Sequence, residues 1–196
     1  MQETAEQIFE IIKDYQCDYA ERKFEITVEH IIAWANQFDD DAEFVLKELL
    51  HFLPEIYISK EKAKNLLRTR LLEIQNFYGY KTMNEMVLNT HFFNLQKGYK
   101  SQSEILSIVD DILQSEFMVD YKESIDAPKT NFIYFDDVLA TGGTVYKDLA
   151  TWLGTKGDGQ NENYKSIINK SKTLGISLFC YHSFGFSNME WRLMKQ

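Results

Sequence analysis

The sequence predicts an α/β protein in which an N-terminal helical subdomain precedes a core built on a parallel β-sheet. Apolar residues recur at helical spacing through about the first 80 residues, where no segment has the pattern of a strand. Beyond residue 82, short apolar runs alternate with amphipathic segments, which is typical of a parallel sheet covered by helices. We therefore place the helical subdomain at residues 1–82 and the core at residues 83–196.

The helical subdomain is predicted from amphipathic segments with one apolar face each. Thr27 and Ser59 precede two of these segments as candidate N-caps, because their hydroxyls can accept hydrogen bonds from the free amides of a first turn. Tyr78-Gly79-Tyr80 breaks the last segment. Large side chains at helical spacing are predicted to lie in the core, and they are Trp34, Phe38 and Phe44.

The second part of the chain is predicted to contain strands at residues 90–95, 131–135 and 176–181. Ser103 is the candidate N-cap of the helix that follows the first strand. The predicted helices of this part are 104–113, 144–153 and 164–170.

The composition narrows the classes of function. The chain has 30 acidic and 21 basic residues, and a formal net charge of -9 lacks the basic footprint of general nucleic-acid binding. Cys17 and Cys180 have no metal-ligand spacing and do not suggest a disulfide framework. The first residues lack a secretory signal, and no apolar run is long enough to cross a membrane. We expect a cytoplasmic protein without membrane attachment or direct contact with nucleic acid.

The most informative segment follows the apolar run Phe132–Phe135. Asp136 and Asp137 come directly after this run, and a short connection leads to Thr141-Gly142-Gly143-Thr144 at the start of a helix. A helix N-terminus offers unpaired N–H groups and a partial positive charge, and both favour a phosphate. Glycines let the backbone approach the phosphate closely, and the threonine hydroxyls add donors. The carboxylates suit ribose hydroxyls, which can donate hydrogen bonds to them.

A tight strand–turn–helix without a ligand is the alternative interpretation of this segment. An acid pair or a glycine pair alone would carry little weight. The complete order is more specific, because it joins a buried strand, two acids, a short connection, a threonine-flanked glycine pair and a helix. Ligands of open parallel sheets also bind beyond the carboxyl ends of the strands. The segment therefore predicts a site for a sugar phosphate.

The segment Asp136–Thr144 resembles the signature loop of type I phosphoribosyltransferases, which bind phosphoribosyl pyrophosphate. The resemblance implies a phosphoribosyltransferase-like core for residues 83–196. It also implies that Asp136 and Asp137 hold the ribose hydroxyls and act in catalysis. A magnesium ion would bridge pyrophosphate and ribose, and no residue of this chain is assigned to it as a ligand. The residues assigned to ribose phosphate are Asp136, Asp137, Ala140, Thr141, Gly142, Gly143 and Thr144.

A second part of the same resemblance is the loop after the first core strand, which holds pyrophosphate in this family. Residues 96–103 have this context, with a predicted strand before them and a helix after them. Lysine can serve there as a point charge for phosphate. The alternative is an ordinary solvated loop. The residues assigned to pyrophosphate are Lys97, Gly98, Lys100 and Ser101.

Two parts of the family pattern are short or missing. The stretch 114–130 must contain any second strand, for which 117–119 is the candidate, and it leaves little chain for a mobile lid. A C-terminal hood that would read the acceptor is not evident after Phe184. The helical N-terminus and the 96–103 loop resemble a divergent bacterial group of phosphoribosyltransferase-like proteins from conflict and phage-defence loci, some of them linked to retrons. This second resemblance covers Thr27 to Tyr181.

Three functions are compatible with these residues. The first is an enzyme that transfers a phosphoribosyl group or cleaves a nucleotide, acting in a bacterial defence system. The second is an inactive sensor that binds phosphoribosyl pyrophosphate or a nucleotide. The third is an interaction subunit with a disused site and a protein partner in a defence complex. Tyr181 and Phe184 could stack on a base in the first two cases, or they could pack in the core.

Overall fold

The computed structural model describes residues 1–15, 25–96, 101–121, 128–156 and 161–195. The chain forms two compact units, Met1–Asn65 and Leu66–Gln196. Within the described ranges, no helix is both long enough and apolar enough to cross a membrane. Cys17 lies outside these ranges, and Cys180 is exposed.

The first unit is helical, as predicted. It contains α1 (Gln2–Ile12), α2 (Val28–Ala35), a short 3-10 helix (Asn36–Asp41), α3 (Ala42–Ile56) and the beginning of α4 (Lys60–Phe77). Both predicted N-caps of this unit are confirmed. The Thr27 hydroxyl accepts a hydrogen bond from the His30 amide at 3.2 Å, and the Ser59 hydroxyl accepts one from the Lys62 amide at 3.1 Å.

The core of the first unit differs from the prediction at its aromatic positions. Trp34 is 42% exposed, Phe38 40% and Phe44 64%, so the prediction that they are core residues is wrong. Alanine and branched aliphatic side chains take the buried positions instead. The buried residues are Ala5, Ile8, Ile31, Ala35, Ala42 and Leu46.

The second unit begins inside α4, whereas the sequence places the boundary between residues 82 and 83. Leu67, Leu71 and Ile74, in the second half of α4, belong to the apolar cluster on one face of the sheet. A further helix, α5 (Met83–Asn89), was not predicted from the sequence, and it contributes to the same cluster. Its N-cap is Thr82, whose hydroxyl accepts a hydrogen bond from the Glu85 amide at 3.1 Å.

In the described part of the second unit, a three-stranded parallel sheet confirms the predicted α/β class. The strands are β1 (Thr90–Phe92), β2 (Asn131–Leu139) and β3 (Thr173–Tyr181), with β2 in the centre. The bounds of β2 differ from the prediction, because pairing with β3 continues as far as Leu139 and Tyr181. Asp136 and Asp137 therefore lie within the last part of β2, and not after the strand.

Helices cover both faces of this sheet. Successive side chains of β2 point to opposite faces, and each set packs against a different group of helices. The helices are α6 (Ser101–Phe117), α7 (Gly143–Gly154), α8 (Asn163–Ile168) and α9 (Ser183–Met194). Ile133 and Phe135 share an apolar cluster with residues of α4, α5 and α6. Phe132 and Tyr134 point to the other face and share a cluster with residues of α7 and α9. A central strand covered on both faces is expected to be apolar, as residues Phe132–Phe135 of β2 are.

The outer edge of β1 is closed by a tyrosine side chain. The Tyr121 hydroxyl accepts a hydrogen bond from the Phe92 amide at 3.2 Å and donates one to the Phe92 carbonyl at 3.4 Å. The prediction of a strand at 117–119 is wrong, because Phe117 ends α6 and Met118 has a positive φ of 56°. This left-handed residue turns the chain so that the Val119 amide bonds back to the helix.

The Tyr121→Phe variant is expected to lose about 1–3 kcal/mol of unfolding free energy, because it leaves the Phe92 amide and carbonyl without a partner. Urea unfolding of both proteins measures this loss. Tyr181→Phe serves as the matched control, since it removes a hydroxyl from a side chain that is 60% exposed. An equal effect of the two substitutions would contradict the assigned role of Tyr121.

Candidate functional site

An open cleft lies beyond the carboxyl end of β2, where ligands bind in open parallel sheets. Its volume is about 410 Å³. The end of β2 and the first residues of α7 form most of its lining, and Gln96 and Ser101 complete it. All of the residues assigned to ribose phosphate from the sequence line this one cleft, and they are Asp136, Asp137, Ala140, Thr141, Gly142, Gly143 and Thr144.

Residues 140–144, here called the glycine turn, lead from β2 into α7. Gly142 has a φ of 74°, which is a left-handed conformation that side chains with a Cβ seldom adopt. The helix begins at Gly143, so the first amides of α7 open toward the cleft. The Thr141 hydroxyl accepts a long hydrogen bond from the Gly143 amide at 3.4 Å. The turn thus has the left-handed glycine and helix start that a phosphate cradle requires.

The glycine turn is held from behind by α9, a helix that the sequence analysis did not predict. A Cβ added to Gly142 would lie 2.6 Å from the Gly185 carbonyl oxygen and 2.8 Å from the Met189 Cβ. A Cβ added to Gly185 would overlap the Ala140 carbonyl oxygen. The two segments are therefore in backbone-to-backbone contact. Phe186, Met189 and Leu193 recur at helical spacing and could have revealed this helix.

Asp136 and Asp137 both line the cleft, and Asp137 is the more exposed of the two. Its side chain is partly exposed, and one carboxylate oxygen accepts a hydrogen bond from the Val138 amide at 2.7 Å. Asp136 precedes Asp137 in β2, and the carboxyl groups of the two acids lie close enough to interact. A partly exposed carboxylate beside the glycine turn can accept hydrogen bonds from sugar hydroxyls.

Asp136 is buried, and protein donors surround it. Its Oδ1 accepts hydrogen bonds from the Ser101 hydroxyl at 2.9 Å and from the Asp137 amide at 3.0 Å. Its Oδ2 accepts one from the Gln96 side-chain amide at 3.0 Å. Burial raises the pKa of the Asp136 carboxyl, and the neighbouring Asp137 carboxyl raises it further. The hydrogen bonds from Ser101 and the Asp137 amide oppose this rise.

A buried tyrosine continues the hydrogen-bond network below Asp136. The Tyr134 hydroxyl accepts a bond from the Gln96 side-chain amide at 3.0 Å and donates one to the Asp148 carboxylate at 2.9 Å. Burial raises the pKa of Tyr134, so the hydroxyl stays protonated at neutral pH. Because Asp148 belongs to α7, the network connects the chain after β1 with β2 and with the helix that starts at the glycine turn.

Gln102 is a second buried polar residue that the sequence analysis missed. Its side-chain oxygen accepts hydrogen bonds from the amides of Leu95 and Gln96, at 2.7 and 3.0 Å. Its side-chain nitrogen donates to the Phe135 carbonyl at 3.1 Å. Gln102 lies on the apolar face of α6. A polar residue on the apolar face of a helix can be recognised from the sequence. Here the helix was predicted to begin at Glu104, so Gln102 was not placed on that face.

The residues assigned to pyrophosphate are only partly described. Lys97, Gly98 and Lys100 lie outside the described residues, so their assignment stays a prediction. Ser101 is the first residue of α6 and lines the cleft, with its hydroxyl donating to Asp136. Ser103 lies inside α6, which makes its prediction as an N-cap wrong.

The two aromatic residues near the end of β3 are on the surface. Tyr181 is 60% exposed and Phe184 is 76% exposed, so the alternative that they pack in the core is excluded. The Tyr181 ring lies 5.3 Å from the Phe186 ring. Among the described residues, no three His, Cys, Asp or Glu side chains group as ligands of a metal ion.

Comparison with known proteins identifies the family. The family model PRTase-CE matches residues 31–196, a range that includes the whole sheet, the glycine turn and both acids of β2. No curated protein and no solved structure matches the chain. A match over most of the chain shows membership, and it confirms the resemblance that the acid pair and the glycine turn indicated. The chain therefore belongs to PRTase-CE, a family of the phosphoribosyltransferase type.

Proposed function

We propose that this protein binds the ribose 5-phosphate group of phosphoribosyl pyrophosphate, or of a nucleotide, in the cleft at the end of β2. One observation carries the proposal. The left-handed Gly142, the first turn of α7 and the cleft-facing Asp137 line the same cavity. A site for a phosphate and a site for sugar hydroxyls therefore lie side by side. The phosphate and the ring of a ribose 5-phosphate are adjacent in the same way.

The phosphate is assigned to the glycine turn. The helix α7 runs for 12 residues, so its N-terminus carries the partial positive charge of a full helix dipole. The amides that follow Gly142 have no helical acceptors, and a phosphate supplies several. Thr141 and Thr144 are exposed at the two sides of the glycine pair and add hydroxyl donors.

The sugar and the magnesium ion are assigned to the side of Asp137. Magnesium in such sites keeps several waters and binds one or two carboxylates together with substrate phosphates. Asp137 is the partly exposed carboxylate of this cleft and fits that donor set, whereas the buried Asp136 already accepts hydrogen bonds from protein donors. The ion would supply positive charge to the pyrophosphate group, and Asp137 would orient the ribose.

We further propose a phosphoribosyl transfer or the cleavage of a nucleotide as the reaction. In the transfer, the bond between the anomeric carbon and a pyrophosphate oxygen breaks, and its electron pair leaves with pyrophosphate. An acceptor then forms the new bond to that carbon. The negative charge of Asp137 would favour the positive charge that develops on the sugar ring.

A catalytically inactive sensor or interaction subunit is the second candidate function. The observation in its favour is the short connection 118–130, in which Val119 and Tyr121 pack against the core cluster of the unit. Because these residues pack against the core, few residues of this connection remain for a lid that would exclude water from a reaction. Pyrophosphate release distinguishes this candidate from the enzyme.

Calorimetry with ribose 5-phosphate, and with phosphoribosyl pyrophosphate and Mg²⁺, tests the proposal. Wild type is expected to bind both ligands and to bind ribose without phosphate far more weakly. Asp137→Asn is expected to weaken both by about tenfold to a hundredfold, because it removes a charge-assisted hydrogen bond. Asp120→Asn is the control, since this exposed acid does not line the cleft. The absence of binding to either ligand would reject the proposal.

A place in a bacterial defence system, a protein partner there and a cytoplasmic location are proposals as well. They rest on the resemblance of residues 27–181 to proteins of conflict loci. Expression of wild type and of Asp137→Asn with its neighbouring genes, followed by phage challenge, tests the first of these. Equal survival with both proteins, or no protection by wild type, would contradict a defence role of this site.

A further inference from the structure

We propose that the outer edge of β3 pairs with β3 of a second copy of this chain, in antiparallel orientation. Two three-stranded sheets would then join into one sheet of six strands. β3 is the last strand of the sheet, and β2 is its one neighbour there among the described residues. The inference concerns an interaction surface, and it does not depend on the ligand proposed for the cleft.

The first argument is the direction of the backbone groups of β3. The Thr173 amide donates a hydrogen bond to the Thr130 carbonyl at 2.8 Å, on the side of β2. Successive residues of a strand direct their N–H and C=O groups to opposite sides. Those of Leu174, Ile176 and Leu178 therefore point away from β2. The outer edge of β3 thus presents a row of backbone donors and acceptors to another strand.

The second argument is that β3 lacks the features that protect an edge strand. Monomeric proteins block such edges with charged side chains, with proline or with very short strands. β3 is nine residues long, and Thr-Leu-Gly-Ile-Ser-Leu-Phe-Cys-Tyr contains neither a charged residue nor a proline. An edge strand of this length and composition is a template for pairing with another strand.

The third argument identifies the occupant as a second copy. The net charge of -9 opposes self-association at surfaces that carry acids, whereas two copies of an uncharged strand meet without repulsion. Exposed apolar side chains also lie at both ends of β3. Ile168 before its start is 74% exposed, and Tyr181 and Phe184 at its end are 60% and 76% exposed. Antiparallel pairing brings the first end of each copy toward the second end of the other.

The opposite edge of the sheet explains why the pairing stops at two copies. The outer side of β1 is occupied by Tyr121, whose hydroxyl bonds to both backbone groups of Phe92. β3 of one copy therefore cannot add to β1 of another without breaking these bonds, and an open-ended row of sheets is disfavoured. Pairing of β3 with itself is closed by a two-fold axis, the most frequent symmetry of oligomers.

A charge experiment at the middle of β3 tests the pairing. Pairing over all nine residues places Ser177 opposite the same residue of the other copy. Wild type is expected to sediment as a dimer. Ser177→Lys and Ser177→Glu each put like charges opposite each other, and each is expected to weaken association by about a hundredfold. An equimolar mixture of the two variants is expected to restore the dimer, because opposite charges then face each other.

Ser107→Lys is the matched control, because it makes the same change at an exposed position of α6 and is expected to leave the dimer intact. Restoration by the mixture also shows that both variants at position 177 fold. A wild type that stays monomeric at its highest soluble concentration would overturn the inference, and the open edge would then fit a strand of a different protein. A dimer that Ser177→Lys weakens no more than Ser107→Lys does would overturn it as well.

A cross-link gives a measurement that needs no added charge. Ser177 directs its backbone groups to β2, so the two copies of this residue form a non-hydrogen-bonded pair with Cα atoms about 4.5 Å apart. That distance permits a disulfide. Ser177→Cys is expected to form a covalent dimer on oxidation. Wild type is expected to form none through its exposed Cys180, which lies opposite Leu174 in this register.

Amide hydrogen exchange of the wild-type chain locates the contact. The amides of Leu174, Ile176 and Leu178 are expected to exchange about tenfold more slowly or less at concentrations that form the dimer than in the dilute monomer, because each becomes hydrogen-bonded. The amides of Gly175 and Ser177 already face β2 and are expected to change less. A dimer without added protection of the three outer amides would place the contact elsewhere and refute the assignment to β3.

Discussion

Gly185→Ala is expected to abolish ribose 5-phosphate binding and to lower the free energy of unfolding by at least about 1–3 kcal/mol, as in an overpacked core. The added Cβ would overlap the Ala140 carbonyl oxygen. A backbone atom cannot move aside as the end of a flexible side chain can. Either α9 or the glycine turn must shift, and a shift of the turn moves the amides that would hold the phosphate.

The control for this substitution is Gly154→Ala at the end of α7. Gly154 is also helical, and nothing lies within 4 Å of its would-be Cβ. An alanine there is expected to raise stability by about 0.5–1 kcal/mol, because glycine in a helix costs conformational entropy. Urea unfolding and calorimetry of both variants give the comparison. Retained ligand binding in Gly185→Ala would show that α9 does not hold the turn.

Gly142→Ala is expected to lower the free energy of unfolding and to abolish ligand binding. Gly79→Ala is the control that separates the cost of the backbone conformation from the cost of the contact with α9. The two glycines have almost the same φ, 74° and 73°. An alanine at either position costs about 1–2 kcal/mol for the left-handed conformation. Only at Gly142 would the Cβ also meet other atoms, the Gly185 carbonyl oxygen at 2.6 Å and the Met189 Cβ at 2.8 Å. We expect this contact to cost about 1–3 kcal/mol more.

The difference in unfolding free energy between Gly142→Ala and Gly79→Ala measures that contact by itself. Calorimetry with ribose 5-phosphate should find no binding to the first variant and wild-type affinity in the second. Equal stability of the two variants would mean that the turn and α9 can separate without cost. In that case Gly142 would be required only for its left-handed backbone conformation and not for its close contact with α9.

Local patterns predicted much of the fold and located the cleft. The apolar run of β2, the acids after it and the threonine-flanked glycine pair are contiguous, so their order along the chain is also their order in space. Caps such as Thr27 and Ser59 are local as well, because donor and acceptor are three residues apart. Periodicity and short-range chemistry are sufficient for such features.

The parts that sequence could not predict depend on distant partners. Asp136 and Asp137 are the same residue type and are adjacent, yet only the donors Gln96 and Ser101 distinguish them. Whether a side chain meets protein or solvent is decided by chain that lies far away in sequence. The exposed Trp34 shows the same difficulty, because helical spacing indicates an apolar face but does not say how wide a face the neighbouring helices cover.

The contact between α9 and the glycine turn predicts an order of events during synthesis. The ribosome releases residues 136–144 before it has made Ser183–Met194, so the turn emerges without the helix that holds it. We expect nascent chains arrested before Ser183 to leave ribose 5-phosphate unbound, and chains extended beyond Met194 by a linker to capture it. Binding by the shorter chains would refute this order. A growing chain would thereby be kept from binding its ligand until α9 has been made.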